Sequence, residues 1–122
     1  MTARILKALD NPYLTVLGHP TGRILLTRPG YQVNLEAILK KAADTGCIIE
    51  FNANPYRLDL DWRWCRRAKE LGIPIAINPD AHTVEELDLT RPSIPVARKG
   101  WLAKADVFNT KTTGEILAFF KR

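Results

Sequence analysis

The sequence has no long apolar run, which excludes a protein that spans a membrane with a simple helix. Its apolar stretches are short, far below the ~20 residues that a spanning helix needs. The first ten residues, MTARILKALD, lack the apolar core of a secretory signal peptide. We therefore expect a cytoplasmic protein without a membrane partner.

Cysteine is also scarce. Cys47 and Cys65 are the only two cysteines, and they lack the paired CxxC spacing of a structural zinc site, so we expect buried thiols. With 122 residues and 46% apolar content, the chain is long enough for one domain with a core and too short for two. We predict a single domain over residues 1–122. The net charge of +5 is compatible with a polyanionic partner such as nucleic acid.

Three aliphatic, β-branched runs predict three buried strands. Two helical patterns separate them: the first follows Asn34 and ends at Gly46, and the second begins near Asp59 or Asp61 and ends at Gly72. Alternation of this kind favours parallel βαβ units and an α/β fold in which helices cover the sheet. The predicted strands are Tyr13–Gly18, Cys47–Asn52 and Ile73–Asn78.

The remaining segments repeat the alternation more weakly. We predict a helical N-terminal segment over residues 1–12 and a fourth short strand at ADVFN, residues 105–109. TVEELDL and TTGEILAFFKR each begin with a threonine three residues before a glutamate, the spacing of a helix capping box. These pairs are Thr83 with Glu86 and Thr112 with Glu115, and the second helix runs to the end of the chain.

Polar residues follow each predicted strand at its carboxyl end. Because the carboxyl ends of parallel strands meet at one edge of a sheet, where the loops converge, this pattern predicts a ligand site. The residues are His19 and Arg23 after the first strand, Glu50, Asn52, Asn54 and Arg57 on and after the second, and Asp80 and His82 after the third.

Two histidines and one carboxylate among these residues suit a metal. In extended backbone Asp80 and His82 would project to the same side, and with His19 they make a set suited to divalent zinc, manganese or iron. The alternative is that Asp80 caps the next helix while His82 bonds a carbonyl group. Arg23 and Arg57 are either phosphate clamps or ordinary loop arginines. Glu50 is either a partner of the ligands or a base.

Three motifs in order resemble a known family. LGHPTGR with RPGY, then IEFNANPYRLDLD, then AINPDAHTVEELD look like the C-terminal half of the polymerase and histidinol phosphatase (PHP) domain. The version appended to bacterial and archaeal family X DNA polymerases is the most similar. The resemblance implies a distorted (β/α) barrel that binds divalent manganese or zinc and hydrolyses phosphoesters. In family X polymerases it implies 3′–5′ exonuclease action on DNA ends during repair.

The resemblance also implies roles for single residues. His19 matches the GHP histidine, and Asp80 and His82 match the DxH motif; all three are metal ligands in the family. Glu50, Asn52 and Asn54 match the strand motif that lines the site, and Arg23 and Arg57 match basic residues near it. We therefore expect Glu50 and Asn52 to be catalytic and Arg23, Asn54 and Arg57 to bind the substrate. The family also uses an HxH motif, further histidines and a glutamate on earlier strands, and no histidine precedes His19.

We therefore expect a partial (β/α) barrel of the PHP type with an incomplete metal site. Its expected partners are DNA and the rest of a polymerase or the missing half of the domain, and an open barrel favours self-association. The isolated chain should be inactive or weakly active. The alternative is a non-catalytic module that oligomerises or binds phosphate or DNA.

Overall fold

A computed structural model describes residues 1–121. Its sheet has three parallel strands in the order β1–β2–β3. Each strand lies within a segment that the sequence predicted, so the parallel α/β arrangement is confirmed. The strands are β1 (Val16–Leu17), β2 (Ile48–Asn52) and β3 (Ile75–Asn78).

The middle strand presents two different faces. Ile49 and Phe51 belong to the apolar core, together with residues of the covering helices. Glu50 and Asn52 alternate with them and therefore point to the opposite side of the sheet. All five residues of β2 are buried, so the polar side chains on this second face lie inside the molecule and need hydrogen-bond partners.

Five α-helices accompany the sheet, and none in residues 1–121 is long and apolar enough to cross a membrane. Asn34 caps the second helix, because its side chain accepts the Ala37 N–H at 3.0 Å, as predicted. Thr112 and Glu115 form the predicted capping box of the fifth; that helix was predicted to reach Arg122, which lies outside the described residues. The helices are α1 (Thr2–Leu9), α2 (Leu35–Thr45), α3 (Trp62–Glu70), α4 (Thr90–Lys99) and α5 (Thr113–Phe120).

The predicted fourth strand is wrong. Its segment forms two 3₁₀ turns, Lys104–Asp106 and Phe108–Thr110, and Val107 makes a single parallel bridge to Ile75. The side chain of Asn109 takes the place of a strand beside β3: its Oδ1 accepts the Ile77 N–H at 2.7 Å, and its Nδ2 donates to the Ile77 carbonyl at 3.2 Å. The Asn109 amide thus pairs with both backbone groups of Ile77, which a fourth strand would otherwise have paired.

Two other predicted elements differ in extent. Only Val16 and Leu17 of the first predicted strand pair with β2, and Tyr13 at its beginning is 91% exposed. The segment after Thr83 forms a 3₁₀ helix, Glu85–Leu89, that leads directly into α4. Both cysteines are buried thiols, as predicted, and burial raises the pKa of Cys65 to about 12.

The Asp61 carboxylate joins the start of α3 to the loop that carries Arg23. Its carboxylate accepts the Arg63 N–H at 3.0 Å and the Arg63 Nε–H at 2.8 Å, and it lies 3.4 Å from Arg23 Nη1. The bond from the Arg63 side chain is the main cause that lowers the pKa of Asp61 from its ordinary value of 3.8 to about 2. The ionised carboxylate therefore stabilises the fold above the ordinary value and loses this contribution as pH falls through the lower one.

We predict that Asp61→Asn, which keeps an acceptor at the helix N-cap, lowers the free energy of unfolding at neutral pH by ~0.5–1 kcal/mol. The difference from the unaltered chain should disappear near pH 2, where Asp61 itself becomes protonated. Urea unfolding across the acid range measures this difference, with Asp44→Asn on an exposed part of α2 as the control. A difference that does not change with pH would contradict the assignment.

Candidate functional site

Glu50 connects the carboxyl ends of the three strands. Its Oε2 accepts the backbone N–H of His19 at 2.6 Å and lies 3.5 Å from both His19 Nδ1 and Asn52 Nδ2. Its Oε1 accepts a hydrogen bond from Asn78 Nδ2 at 3.0 Å. The structure therefore brings the predicted residues His19, Glu50 and Asn52 together and adds Asn78, which sequence reasoning did not select.

A second buried carboxylate, Asp59, holds the turn that carries His19. It is fully buried, and its Oδ2 accepts the N–H of Thr21 at 3.1 Å and that of Gly22 at 2.9 Å. The Gly22 N–H is shared between two acceptors, because it also donates to the carbonyl of His19 at 2.9 Å. Sequence reasoning considered Asp59 only as a helix start, because nothing in the sequence distinguishes it from the true N-cap, Asp61.

Arg23 is committed to the protein itself. Its Nε donates to the Arg57 carbonyl at 2.9 Å, and its Nη2 donates to the Leu58 carbonyl. Its Nη1 faces Asp61. These three contacts use the guanidinium to join two loops, so its geometry favours the structural role over the phosphate clamp.

Arg57 lies beside Asp80. Its Nε is 2.9 Å from Asp80 Oδ2, and both side chains are about three-quarters buried. Asn54 shapes the loop that carries Arg57: its N–H donates to Asn52 Oδ1 at 3.1 Å, and its own Oδ1 accepts the Tyr56 N–H at 3.0 Å. The loop after β2 is therefore tied to the site through two successive asparagine turns.

The DxH segment is not extended, and that expectation is wrong. Asp80 has a φ of 57°, a left-handed conformation that aspartate adopts more readily than most residues. His82 Nδ1 lies 2.8 Å from the Asp80 carbonyl oxygen, as the alternative for His82 proposed. A carbonyl only accepts hydrogen bonds, so Nδ1 carries the proton and Nε2 of the neutral ring has a lone pair for a ligand.

The backbone of His82 is also fixed. Its N–H donates to Glu86 Oε2 at 2.6 Å, while the Glu86 N–H reaches Thr83 Oγ1 at 3.4 Å. The predicted capping pair of Thr83 and Glu86 thus forms in one direction, and the glutamate reaches one residue further back. The His82 side chain is 78% exposed.

The fit of these residues to a metal ion is partial. His82 presents Nε2, and His19 places Nδ1 beside a carboxylate, the arrangement that orients many histidine ligands. Asp80, however, is paired with Arg57. Among residues 1–121, no three histidine, cysteine, aspartate or glutamate side chains lie close enough together to hold an ion.

No protein-family model matches the chain. Over 119 residues, which are 98% of the chain, it is 38% identical to the DNA polymerase/3′-5′ exonuclease PolX of Bacillus subtilis. The chain is thus similar to one part of PolX over nearly its whole length. The resemblance to family X polymerases is therefore confirmed.

Proteins named as probable phosphatases are also similar. One from Thermoanaerobacter sp. is 27% identical over 126 residues and 98% of the chain. One from Clostridium novyi is 38% identical over 56 residues, which cover 46% of the chain and 20% of that protein. The chain spans only 21% of the length of PolX and 49% of the Thermoanaerobacter protein.

Proposed function

We propose that the chain forms part of a divalent-metal-dependent phosphoesterase of the PHP type that acts on DNA ends as a 3′–5′ exonuclease. The observation that carries this proposal is the convergence of His19, Glu50 and Asn52 at the carboxyl edge of the sheet, in a chain related to an exonuclease and to probable phosphatases. Parallel α/β folds bind their ligands at this edge.

In this proposal His19, Asp80 and His82 hold manganese or zinc together with residues from outside the chain. Three ligands that do not converge among themselves need others to complete the coordination. When bound, a divalent ion would polarise the phosphoester and make a water molecule more acidic. Glu50 and Asn52 orient His19, and Asp80 must exchange its contact with Arg57 for a contact with the ion.

Arg57 is then the residue that meets the substrate phosphate. Its Nε lies beside the Asp80 carboxylate, and an arginine released from a carboxylate can bind a phosphate through two N–H groups. Asn54 keeps the loop of Arg57 in place through its two turns, and Arg23 joins that loop to the His19 turn. In this arrangement Arg57 binds the phosphate, and Asn54 and Arg23 position its loop.

A hybrid enzyme tests the proposal. We predict that PolX of Bacillus subtilis, with its matched segment replaced by this chain, keeps a manganese-dependent 3′–5′ exonuclease activity. Asp80→Asn in the hybrid should lower that activity by at least ~10–100-fold, because even the loss of a residue that only orients a metal ligand costs this much. The exposed Asp88→Asn should leave it unchanged, and polymerase activity reports whether the hybrid folds. A hybrid that polymerises DNA but degrades none from its 3′ end would contradict the proposal.

The second candidate is a non-catalytic module that binds phosphate or DNA, in which copies of the chain associate through the open side of the sheet. The Arg57–Asp80 ion pair favours this candidate, because Arg57 neutralises the charge of Asp80, a predicted metal ligand, without a metal ion. Calorimetry with manganese and light scattering of the isolated chain separate the two. Weak binding of manganese that Asp80→Asn abolishes supports the first candidate, whereas an oligomer with no manganese binding supports the second.

A further inference from the structure

We propose that the loop of residues 23–30, together with Tyr56, binds the terminal nucleobase of a DNA strand. This base site, as we call it, rests on the proposed function, because it supplies the base-binding half of the same substrate. The phosphate half is Arg57, which follows Tyr56 directly in the sequence.

The base site exposes unusual side chains. Leu26 is fully exposed and Tyr56 is 73% exposed, and the Tyr56 carbonyl accepts the N–H of Leu25, the neighbour of Leu26. Leu26 also has a φ of 61°, a conformation that is strained for a residue with a branched, bulky side chain. A glycine would fit this backbone better, so the leucine side chain has a use other than stability.

The loop is rigid despite its exposure. Ile24 and Arg28 exchange two backbone hydrogen bonds, Ile24 N–H to Arg28 O at 2.9 Å and the reverse at 2.8 Å. Arg28 Nη2 donates to the Gly22 carbonyl at 2.8 Å. The Leu25 N–H donates to the Tyr56 carbonyl at 2.7 Å. The loop and Tyr56 therefore form one preorganised surface, which lowers the entropic cost of binding.

The surface has the size and chemistry for a base. Residues 23–30 line a cavity of about 360 Å³, at the lower end of the range for small-molecule sites. A tyrosine ring is a platform on which any base can stack, and leucine is one of the apolar residues that proteins insert beside bases.

The position of the base site matches the geometry of a nucleotide. The loop after β2 runs from Asn52 in the site through the Asn54 turn to Tyr56, and then to Arg57 beside Asp80. Tyr56 and Arg57 are consecutive residues, so we infer that a base stacked on Tyr56 keeps its phosphate within reach of Arg57. The same loop connects the two halves, so a DNA end bound through its phosphate would bring its last base to the loop of residues 23–30.

Fluorescence titration of the full chain tests the base site. The probes are two single-stranded oligonucleotides that differ at the 3′ end: one carries 2-aminopurine, and the other carries an abasic residue. We expect the 2-aminopurine strand to bind more tightly and its fluorescence to fall on binding. Tyr56→Ser and Leu26→Gly should each weaken its binding by roughly tenfold and leave the binding of the abasic strand unchanged.

The matched control is Tyr13→Ser, which removes a tyrosine that is even more exposed, 91% against 73%, at the opposite end of the strands. Leu26→Gly relieves the positive φ, so that variant should fold, and circular dichroism of each variant verifies this. If both strands bind and neither variant changes the preference for the terminal base, the base site is wrong while the proposed function stands. If the unaltered chain binds neither strand, the base site is also wrong, whereas the proposed function is decided by the exonuclease activity of the hybrid.

Discussion

Replacing Asp59 with alanine is expected to lower the free energy of unfolding by ~3 kcal/mol. The carboxylate is fully buried and accepts two backbone N–H groups, those of Thr21 and Gly22. Without it, the Thr21 N–H loses its acceptor and the Gly22 N–H keeps only the His19 carbonyl, and an unsatisfied buried donor costs ~1–3 kcal/mol. The cavity left by the side chain adds to this cost, and removal of a buried charge offsets part of it.

Urea unfolding measures the change as a shift of the midpoint with an unchanged slope. Asp59→Asn keeps one acceptor oxygen and should lose about half as much. Asp44→Asn, on the exposed side of α2, should change stability by less than ~0.5 kcal/mol. Because Asp59 holds the turn of His19, the His19 imidazole resonance should move in both Asp59 variants. An Asp59→Ala variant as stable as the unaltered chain would show that the turn does not depend on this carboxylate.

Gly22→Ala is expected to destabilise the protein by ~2–3 kcal/mol. Gly22 has a φ of 64°, and a Cβ atom there would lie 2.5 Å from Cε2 of Tyr31. The left-handed conformation alone costs an L-residue ~1–2 kcal/mol. The tyrosine ring must also swing out of its packing against the turn, which adds the loss of that contact. The turn that carries His19 would be distorted as well.

Further variants separate the cost of the backbone strain at Gly22 from the cost of the clash with Tyr31. Gly72→Ala places a Cβ at a φ of 72° with nothing within 4 Å, so it should cost only the backbone strain. In a Tyr31→Ala background, Gly22→Ala should cost about as much as Gly72→Ala, because the clash is gone. Equal costs for Gly22→Ala and Gly72→Ala in the natural background would refute the role of the tyrosine. Urea unfolding of the unaltered chain, of the variants Gly22→Ala, Gly72→Ala and Tyr31→Ala, and of the double variant measures these costs.

The strands were predictable where burial alone decides their structure. β2 and β3 are continuous apolar runs, and the structure places them as the sequence indicates. The segment around Val107 also has strand-forming residues, but pairing with β3 was decided by Asn109, whose amide contacts Ile77. A contact between residues so far apart in the chain leaves no trace in local periodicity.

The site was predictable in its place but only partly in its contacts. The rule that loops converge at the carboxyl ends of parallel strands brought His19, Glu50 and Asn52 together correctly. It could not assign Arg23, because the acceptors of that guanidinium are backbone carbonyls, which every residue possesses. It could not foresee the left-handed Asp80 either, since aspartate adopts both conformations.

The all-parallel sheet has a consequence for how the chain folds. Each strand pairing joins segments separated by an entire helix, α2 between β1 and β2 and α3 between β2 and β3. No two of these three strands can therefore pair as a hairpin and act as an early nucleus, and contacts of this long range slow folding. Until α2 and α3 have docked, the apolar strands β2 and β3 are exposed, so refolding from denaturant should compete with aggregation and proceed best at low protein concentration.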